Sequence, residues 1–332
     1  MVPLPHVLVS NASISTTLPA GLVAVFAGAM TGIGLATLKT FVKYSIAPRI
    51  YLFARNPHAV GEVVEMFVKV DLSSLRETDA ACDVVKSKED GVNLVVLSMK
   101  EVRLDRTLTP EGLHLFLATV YYARMRIVQA LLPALIHASA YSRLARVVDI
   151  AGGTKEGPVD MLDLAALRVP FAKICGQLAS MHTLSLKTLA EQVLGVSFVH
   201  DFPGAEVTPL FDGGACWAGW GMWVLRLYLR VFRRWVCVSV EECGKRYVFL
   251  GTSAKYAAGE GEAGGVLVGE GVERRTATEG VRGCVYSGDW DVEGPGGRVM
   301  GLLKGLGREG IKEVVWEHTN GEFERIRRGE GL

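Results

Sequence analysis

With 332 residues, 49% hydrophobic and 21% charged, the chain can bury one sizeable core, and its length accommodates one large α/β domain with or without an appendage. A formal net charge of +1, with no long Lys/Arg tract, excludes a nucleic-acid-binding tail, and nucleic acid is not an expected partner. The six cysteines (Cys82, Cys175, Cys216, Cys237, Cys243, Cys284) show no C-x-x-C spacing, which argues against zinc and against a disulfide framework; no metal is expected, and a reducing, cytoplasmic compartment fits.

Residues 1–20 read as an N-terminal extension. Met1–Pro19 has no basic region, so no secretory leader is expected, and Asn11-Ala12-Ser13 is a chance glycosylation sequon. The apolar run Leu22–Phe26 is the expected first strand, leading through Ala27-Gly28-Ala29-Met30-Thr31-Gly32-Ile33-Gly34 into a helical segment, Leu35–Tyr44. Gly28 and Gly32 can take backbone angles closed to residues with a Cβ, and Gly34 lets the helix lie close to the strand. Backbone N–H groups and the positive helix end can then meet a pyrophosphate. Gly28, Met30, Thr31, Gly32, Ile33 and Gly34 are the expected cradle of a dinucleotide.

Ile50–Ala54 reads as a second strand ending in Arg55-Asn56-Pro57. An acidic residue at such a strand end binds a ribose 2′-hydroxyl, whereas an Arg suits a 2′-phosphate, so Arg55 points to NADP rather than NAD. Phe67–Val70 is the third strand, and it ends in Asp71-Leu72, where a carboxylate can accept from an adenine amino group. Ser73 or Ser74 can cap a helix to about Lys88. Leu94–Leu97, before Ser98, is the fourth strand; Leu113–Ile136 is a long helix; Arg146–Ile150 is the fifth strand, followed by the loop Ala151–Gly157. Leu167–Gln192 is mostly helical, and Val196–His200 is the sixth strand, closing on Asp201-Phe202-Pro203-Gly204. This alternation predicts an α/β fold with a doubly wound parallel sheet and helices on both faces, its ligand outside the carboxyl ends of the strands.

At these residues the chain resembles the short-chain dehydrogenase/reductase family, over about Leu22 to Tyr256. Ala27–Gly34 stands where that family has T-G-x-x-x-G-x-G, with Ala27 for Thr. Then follow in order Arg55, Asp71-Leu72, Ser98, Leu131-Leu132-Pro133, Arg146-Val147-Val148 and Pro203-Gly204-x-x-x-Thr208. Ala179-Ser180-Met181, Thr183-Leu184, Phe198-Val199-His200 and the Trp-rich segment after Thr208 are similar to a fungal branch tied to secondary metabolism. The resemblance implies a Rossmann-like domain over residues 21–256, NADP(H) as cofactor, and cofactor contacts from Gly28, Met30, Thr31, Gly32, Ile33, Gly34, Arg55, Asn56, Asp71, Leu72, Ser98, Pro203, Gly204 and Thr208.

The family's chemistry uses a Tyr and a Lys four residues apart on the helix after the fifth strand. The Tyr gives a proton to the substrate oxygen as hydride arrives, and the Lys charge lowers its pKa from about 10. A Ser after the fifth strand and an Asn on the long helix complete the set. Aligned by the resemblance, the Asn, Ser, Tyr and Lys positions hold Val120, Gly152, Cys175 and Ala179, and Phe171–Leu186 contains no Tyr. The interval between Arg55 and Asp71 is also shorter than the family's, with room for a short helix at about His58–Glu65, and reads as a natural shortening or a gene-model deletion.

Four replacements for the proton donor follow, each with a structural alternative. Cys175 is an acid or a buried inert thiol; Tyr122, beside Tyr121, faces the ligand or packs inside; Lys155, with Glu156, borders the substrate or forms a solvated loop pair. His200 shuttles a proton or is satisfied by backbone. The segment with Trp217, Trp220, Trp223 and Trp235 is also cationic, with Arg226, Arg230, Arg233 and Arg234. Arg226, Arg230 and Arg233 share one helical face and Val224, Leu225, Leu227, Tyr228, Val231 and Phe232 much of the remainder, which predicts an amphipathic cationic helix within residues 217–235. It belongs to a lid, residues 211–238, over an apolar substrate, or it is a dimer surface or a foot on a membrane surface. Ser239-Val240-Glu241-Glu242 has capping-box spacing and starts a helix to about Tyr247. Residues 257–332 read as a small Gly-rich C-terminal appendage, with a hairpin at Val285–Val292 and short helices at Val299–Leu306 and Ile311–Trp316. The expected activity is an NADP-dependent oxidoreductase of an apolar secondary metabolite; the alternative is a cofactor-binding cyclase, isomerase or pseudoenzyme.

Overall fold

The computed structural model describes residues 1–56, 66–101, 103, 105–142, 144–204, 238–259, 264–269, 272–273 and 284–330. Seven strands form one parallel sheet: β1 (Val23–Ala27), β2 (Arg49–Ala54), β3 (Met66–Lys69), β4 (Leu94–Leu97), β5 (Arg146–Ile150), β6 (Ser197–Asp201) and β7 (Cys284–Gly288). Their order is β3-β2-β1-β4-β5-β6-β7. The chain steps outward from β1 to β3 and then resumes on the other side at β4, so the winding reverses between β1 and β4. That reversal opens a crevice at the carboxyl ends of the two strands. Ala27, the last residue of β1, lies opposite Phe53 of β2 and Leu97 of β4.

The strands are apolar on both sides because helices cover both faces. On one face α3 (Gly32–Tyr44) packs against α7 (Val240–Thr252), with α1 (Leu4–Ala12) outside α7 and the single turn α2 (Ile14–Thr17) beside it. On the other lie α4 (Leu75–Lys86), α5 (Leu115–Ser142) and α6 (Phe171–Glu191). Over them runs α9 (Ile311–Arg327), preceded by α8 (Gly297–Arg308). Ser74 caps α4 by accepting from the Glu77 N–H, and the Glu111 carboxylate accepts from the N–H groups of Leu75 and Arg76, so the exposed donors of the first turn are met. By length and hydropathy α5 could cross a membrane, yet 72% of its most apolar window is buried among the other elements, which makes it a core helix.

Several expectations need correction. Val285–Val292 is not a hairpin: Cys284–Gly288 is β7, paired parallel to β6 from Ser197↔Cys284 to Asp201↔Gly288, and the Gly288-Asp289 turn signal ends a sheet strand. The helix from Ser239 continues past Tyr247 to Thr252 because Val248, Phe249 and Leu250 are buried. The last helix reaches Arg327, since Val315, Thr319, Phe323 and Ile326 keep one buried stripe. The N-terminal residues Val2, Val7, Ile14 and Leu18 share a core with β1 and α7, and Asn11, fully buried, donates to the Lys245 carbonyl at 2.9 Å. The helix expected at residues 58–65, Thr208, and the Trp- and Arg-rich lid with Trp217, Trp220, Trp223, Trp235, Arg226, Arg230, Arg233 and Arg234 lie outside the described residues.

Candidate functional site

The glycine turn sits at the mouth of the crevice. Gly28 has φ +81° and donates its N–H to the Phe53 carbonyl at 3.1 Å; a Cβ there would lie 2.4 Å from Met99 Cα and 2.5 Å from Met99 N, so the turn is seated directly on the backbone after β4. A Cβ on Gly34 would lie 2.2 Å from Ser98 Oγ, which itself donates to the Ala27 carbonyl at 3.1 Å. Strand, turn and helix are thereby held at contact distance. Gly32 differs: its φ is +57°, and a Cβ there would meet nothing within 4 Å. It opens α3, whose N-cap Thr31 makes no side-chain cap and whose first turn carries no acid. Met30 is half-buried, Thr31 exposed and Ile33 buried. The open side at Gly32 and the uncapped positive helix end are what a phosphate requires.

Other expected contacts surround this turn. Arg55 and Asn56 follow β2 and are exposed. Asp71 is exposed and accepts from the N–H and hydroxyl of Ser73 at 3.0 and 2.8 Å; Leu72 beside it is buried. Pro203 and Gly204 follow β6; Gly204 has φ +85°, and its missing Cβ would lie 3.0 Å from Trp290 Cβ.

Beneath the floor lies a buried polar cluster that was not anticipated. Arg124 of α5 is 4% exposed at its side chain. It donates to the carbonyls of Leu97 at 3.2 Å, Ile150 at 2.9 Å and Met99, and to Asp149 Oδ1. Asp149 Oδ2 is 2.5 Å from His182 Nδ1, and the His182 ring stacks on His200, centroids 5.2 Å apart and planes at 14°. Burial alone would raise the Asp149 carboxyl, but His182 and Arg124 outweigh it and hold it well below the ordinary range. These residues are legible only as exceptions: Asp149 in the apolar run Val147-Val148-Asp149-Ile150, Arg124 between Ala123 and Met125, and His182 between Met181 and Thr183.

The ligating atoms of Asp149, His182 and His200 lie within 4.8 Å of one another, which raises the question of a metal. The chemistry opposes one. Near-parallel imidazoles project their in-plane lone pairs side by side rather than to a common point, and the Arg124 cation already occupies the carboxylate.

No family model matches the chain. It is 30% identical over 322 residues to the oxidoreductase andH of Emericella variicolor, covering 92% of each chain. It is also 26% identical over 293 residues to the short-chain dehydrogenase/reductase SAT2 of Stachybotrys chartarum, covering 78% of this chain and 80% of that one. Its fold matches a short-chain dehydrogenase/reductase from Saccharomyces cerevisiae with a TM-score of 0.54 at 12% identity, over 74% of this chain and 95% of the other. The chain belongs to the short-chain dehydrogenase/reductase family. Membership sets its coarse class as oxidoreductase. A second solved relative, L-sorbose reductase of Gluconobacter frateurii complexed with NADPH and L-sorbose, has a TM-score of 0.50 at 20% identity over 71% of this chain and 91% of that one.

At the positions aligned with the family's Ser and Lys, the structure places small residues in contact. A Cβ on Gly152 would sit 3.1 Å from Ala179 Cβ, so the loop after β5 lies directly on α6. Further along, a Cβ on Gly153 would be 2.2 Å from the His200 carbonyl oxygen, and Gly157 donates to the Gly176 carbonyl at 2.9 Å. Val120 lies in a π-helical turn, Ala118–Tyr122, of α5.

The four candidate donors are separated rather than gathered. Cys175, expected to be buried if inert, is exposed, and desolvation shifts its thiol up, opposite to an activated nucleophile. Tyr122 is turned away from the crevice: its hydroxyl shares a 2.7 Å hydrogen bond with His318 Nε2 of α9, and burial pushes it well above its ordinary value. Tyr121 bonds Ser185 at 2.8 Å and Thr319 at 2.6 Å, with its pKa pushed up to about 12 by burial. Lys155 is half in solvent, 2.7 Å from Asp289 Oδ2 and 4.7 Å from the centre of the Phe202 ring.

His200 is fully buried. Its Nε2 accepts from the Gly152 N–H at 3.0 Å, so Nδ1 carries the proton and donates to Thr183 Oγ1 at 2.8 Å, and Thr183 donates in turn to Glu156 Oε1 at 2.8 Å. Burial lowers the imidazole to about 3. Both nitrogens are committed, which supports the backbone-satisfied alternative. Glu156, expected in a solvated pair with Lys155, is instead buried; desolvation raises its carboxyl, and Ser287 donates to the same Oε1 at 2.9 Å.

Proposed function

We propose that the protein is an NADP(H)-dependent oxidoreductase of an apolar metabolite. The observation that carries this is the cradle at Gly32: positive φ, open space where a side chain would stand, and an uncapped helix end without an acid. The residues present suit the cofactor, with the Gly28–Gly34 turn holding the pyrophosphate, Asp71 accepting from the adenine amino group and Arg55 meeting the 2′-phosphate. When bound, the nicotinamide supplies or accepts a hydride. The chain's own residues seat the turn that would hold the cofactor: Met99 lies against Gly28, and Ser98 against Gly34. NADPH complexed with L-sorbose reductase, a structural relative, supports the cofactor reading. Calorimetry tests it: NADPH binds the purified protein more tightly than NADH, and an absence of NADPH binding overturns it.

A second reading, a cofactor-binding protein without hydride transfer, is favoured by the Gly152–Ala179 contact, which closes the place where the family's Ser and Lys would act. Transfer of deuterium from NADPH deuterated at the reactive carbon to any product decides for the first reading, and turnover without NADPH consumption for the second.

A further inference from the structure

Among the described residues Arg124, Arg146 and Arg246 are buried, and the first two reach opposite ends of the sheet, in different surroundings. Arg146 begins β5 and is 1% exposed. It donates to Ser197 Oγ at 2.7 Å and to the carbonyls of Leu250 at 2.9 Å, Ser253 at 2.7 Å and Gly264 at 3.0 Å, all on the side away from the crevice. Arg124 reaches the other end, where β4 and β5 finish. Its donors span two strand ends at once: Leu97 and Met99 on the β4 side, Ile150 and Asp149 on the β5 side.

Met99 is the residue against which Gly28 is seated, and Ser98 beside it is in contact with Gly34. The Met99 carbonyl is held by Arg124. A shift of this backbone by a few tenths of an ångström therefore either presses on the glycine turn or releases it. Asp149 fixes the guanidinium, and His182 fixes Asp149.

We propose that Arg124 is the positioning residue of the dinucleotide cradle: acting through the Met99 carbonyl and steadied by Asp149 and His182, it sets the height of the Gly28–Gly34 turn and thereby the affinity for the cofactor. The proposal rests on the dinucleotide reading for its affinity arm only. The coupling of Arg124 to the turn is a property of the free protein.

Arg124→Lys is the discriminating variant, because an ammonium keeps the charge opposite Asp149 but cannot bond both strand ends at once. Hydrogen exchange on the free protein is expected to quicken about tenfold at residues 28–34 and 98–101 while β6 and β7 keep their protection. NADPH dissociation constants measured by calorimetry are expected to rise about tenfold. Arg146→Lys is the control: the same substitution in an equally buried arginine lowers the melting temperature and leaves NADPH affinity and exchange at residues 28–34 as in the wild type. Should Arg124→Lys fail to fold, the pair Arg124→Met with Asp149→Leu removes both charges together and is read in the same way.

Unchanged exchange at residues 28–34 and 98–101 overturns the proposal, as does quickening spread evenly over the sheet or an equal affinity loss in Arg146→Lys. If the wild type binds no NADPH, the dinucleotide reading falls, and the exchange arm alone decides whether Arg124 positions the turn.

Discussion

Two of the glycines in the turn give opposite predictions, because one is enclosed and the other open. Gly28→Ala places a methyl 2.4 Å from Met99 Cα and 2.5 Å from Met99 N, both backbone atoms that a rotamer change cannot move, at φ +81°. The left-handed angle costs about 1–2 kcal/mol. The forced backbone shift adds about 1–3 kcal/mol. The expected loss of stability is therefore about 2–5 kcal/mol. Gly32→Ala carries only the angular cost, about 1–2 kcal/mol, since nothing lies within 4 Å of the new methyl. That methyl stands in the open space at the helix end, so NADPH affinity should fall at least about tenfold, or 1.4 kcal/mol. Denaturant unfolding and calorimetry measure the two quantities on each variant. Gly32→Ala binding NADPH as the wild type does, or being destabilised as much as Gly28→Ala, would refute the assignment of Gly32 to the phosphate.

Arg55→Ala should weaken NADPH binding by about 1–3 kcal/mol, the scale of a charge-assisted hydrogen bond, and leave NADH nearly unchanged; equal loss for both shows that Arg55 does not read the 2′-phosphate. His200 makes stability pH-dependent. Its ordinary value of 6.5 in the unfolded chain falls to about 3 when folded, so above 6.5 both states are neutral, and below it the unfolded state takes the proton first. Stability should decline from about pH 6.5 toward pH 3 with a contribution approaching about 1.4 kcal/mol per pH unit, and His200→Gln should remove that slope. If residues 217–235 rest on an anionic membrane, each Arg contributes about 1 kcal/mol, and changing Arg226, Arg230 and Arg233 to Gln releases the protein from anionic vesicles. A sedimentation assay at low salt without binding disposes of that proposal.

The parallel sheet was legible because each buried strand is a short apolar run, as in Leu94–Leu97, bounded by turn residues, and because helical segments separate the runs. The glycine turn between β1 and α3 was legible because Gly28 and Gly34 stand where strand, turn and helix meet at contact distance. Strand β7 was not: Cys284–Gly288 is too short to announce its partner, and only the sheet edge left by β6 gives it one. The cluster under the floor was hidden for a related reason. Arg124, Asp149 and His182 are separated by 25 and 33 residues in the chain, and each taken singly is a polar interruption of an apolar element. Their meaning comes from the packing that brings α5, β5 and α6 together. The burial expected of an inert Cys175 does not hold, because the resemblance placed it on α6 without saying that its turn of the helix faces outward.

The contact between Gly152 and Ala179 constrains how the family's chemistry could be restored. Cys175 is exposed, so Cys175→Tyr adds an aromatic ring without displacing core and should change stability by no more than about 0.5 kcal/mol. A phenol there keeps a pKa of about 10 unless a cation stands beside it. The position for that cation is Ala179, which is 2% exposed and would lie 3.1 Å from a Cβ at Gly152. Ala179→Lys must move the loop after β5, at about 1–3 kcal/mol of overpacking, besides desolvating an ammonium. The loop is also pinned, because Gly153 lies against the His200 carbonyl and the Gly152 N–H is held by the His200 ring. If the resemblance aligns the family's pair with positions 175 and 179, the pair therefore cannot be rebuilt one residue at a time. Cys175→Tyr alone should leave NADPH oxidation with a panel of apolar ketones at the wild-type rate, and a rise of tenfold or more in that single variant would show that a cation already stands within reach of position 175.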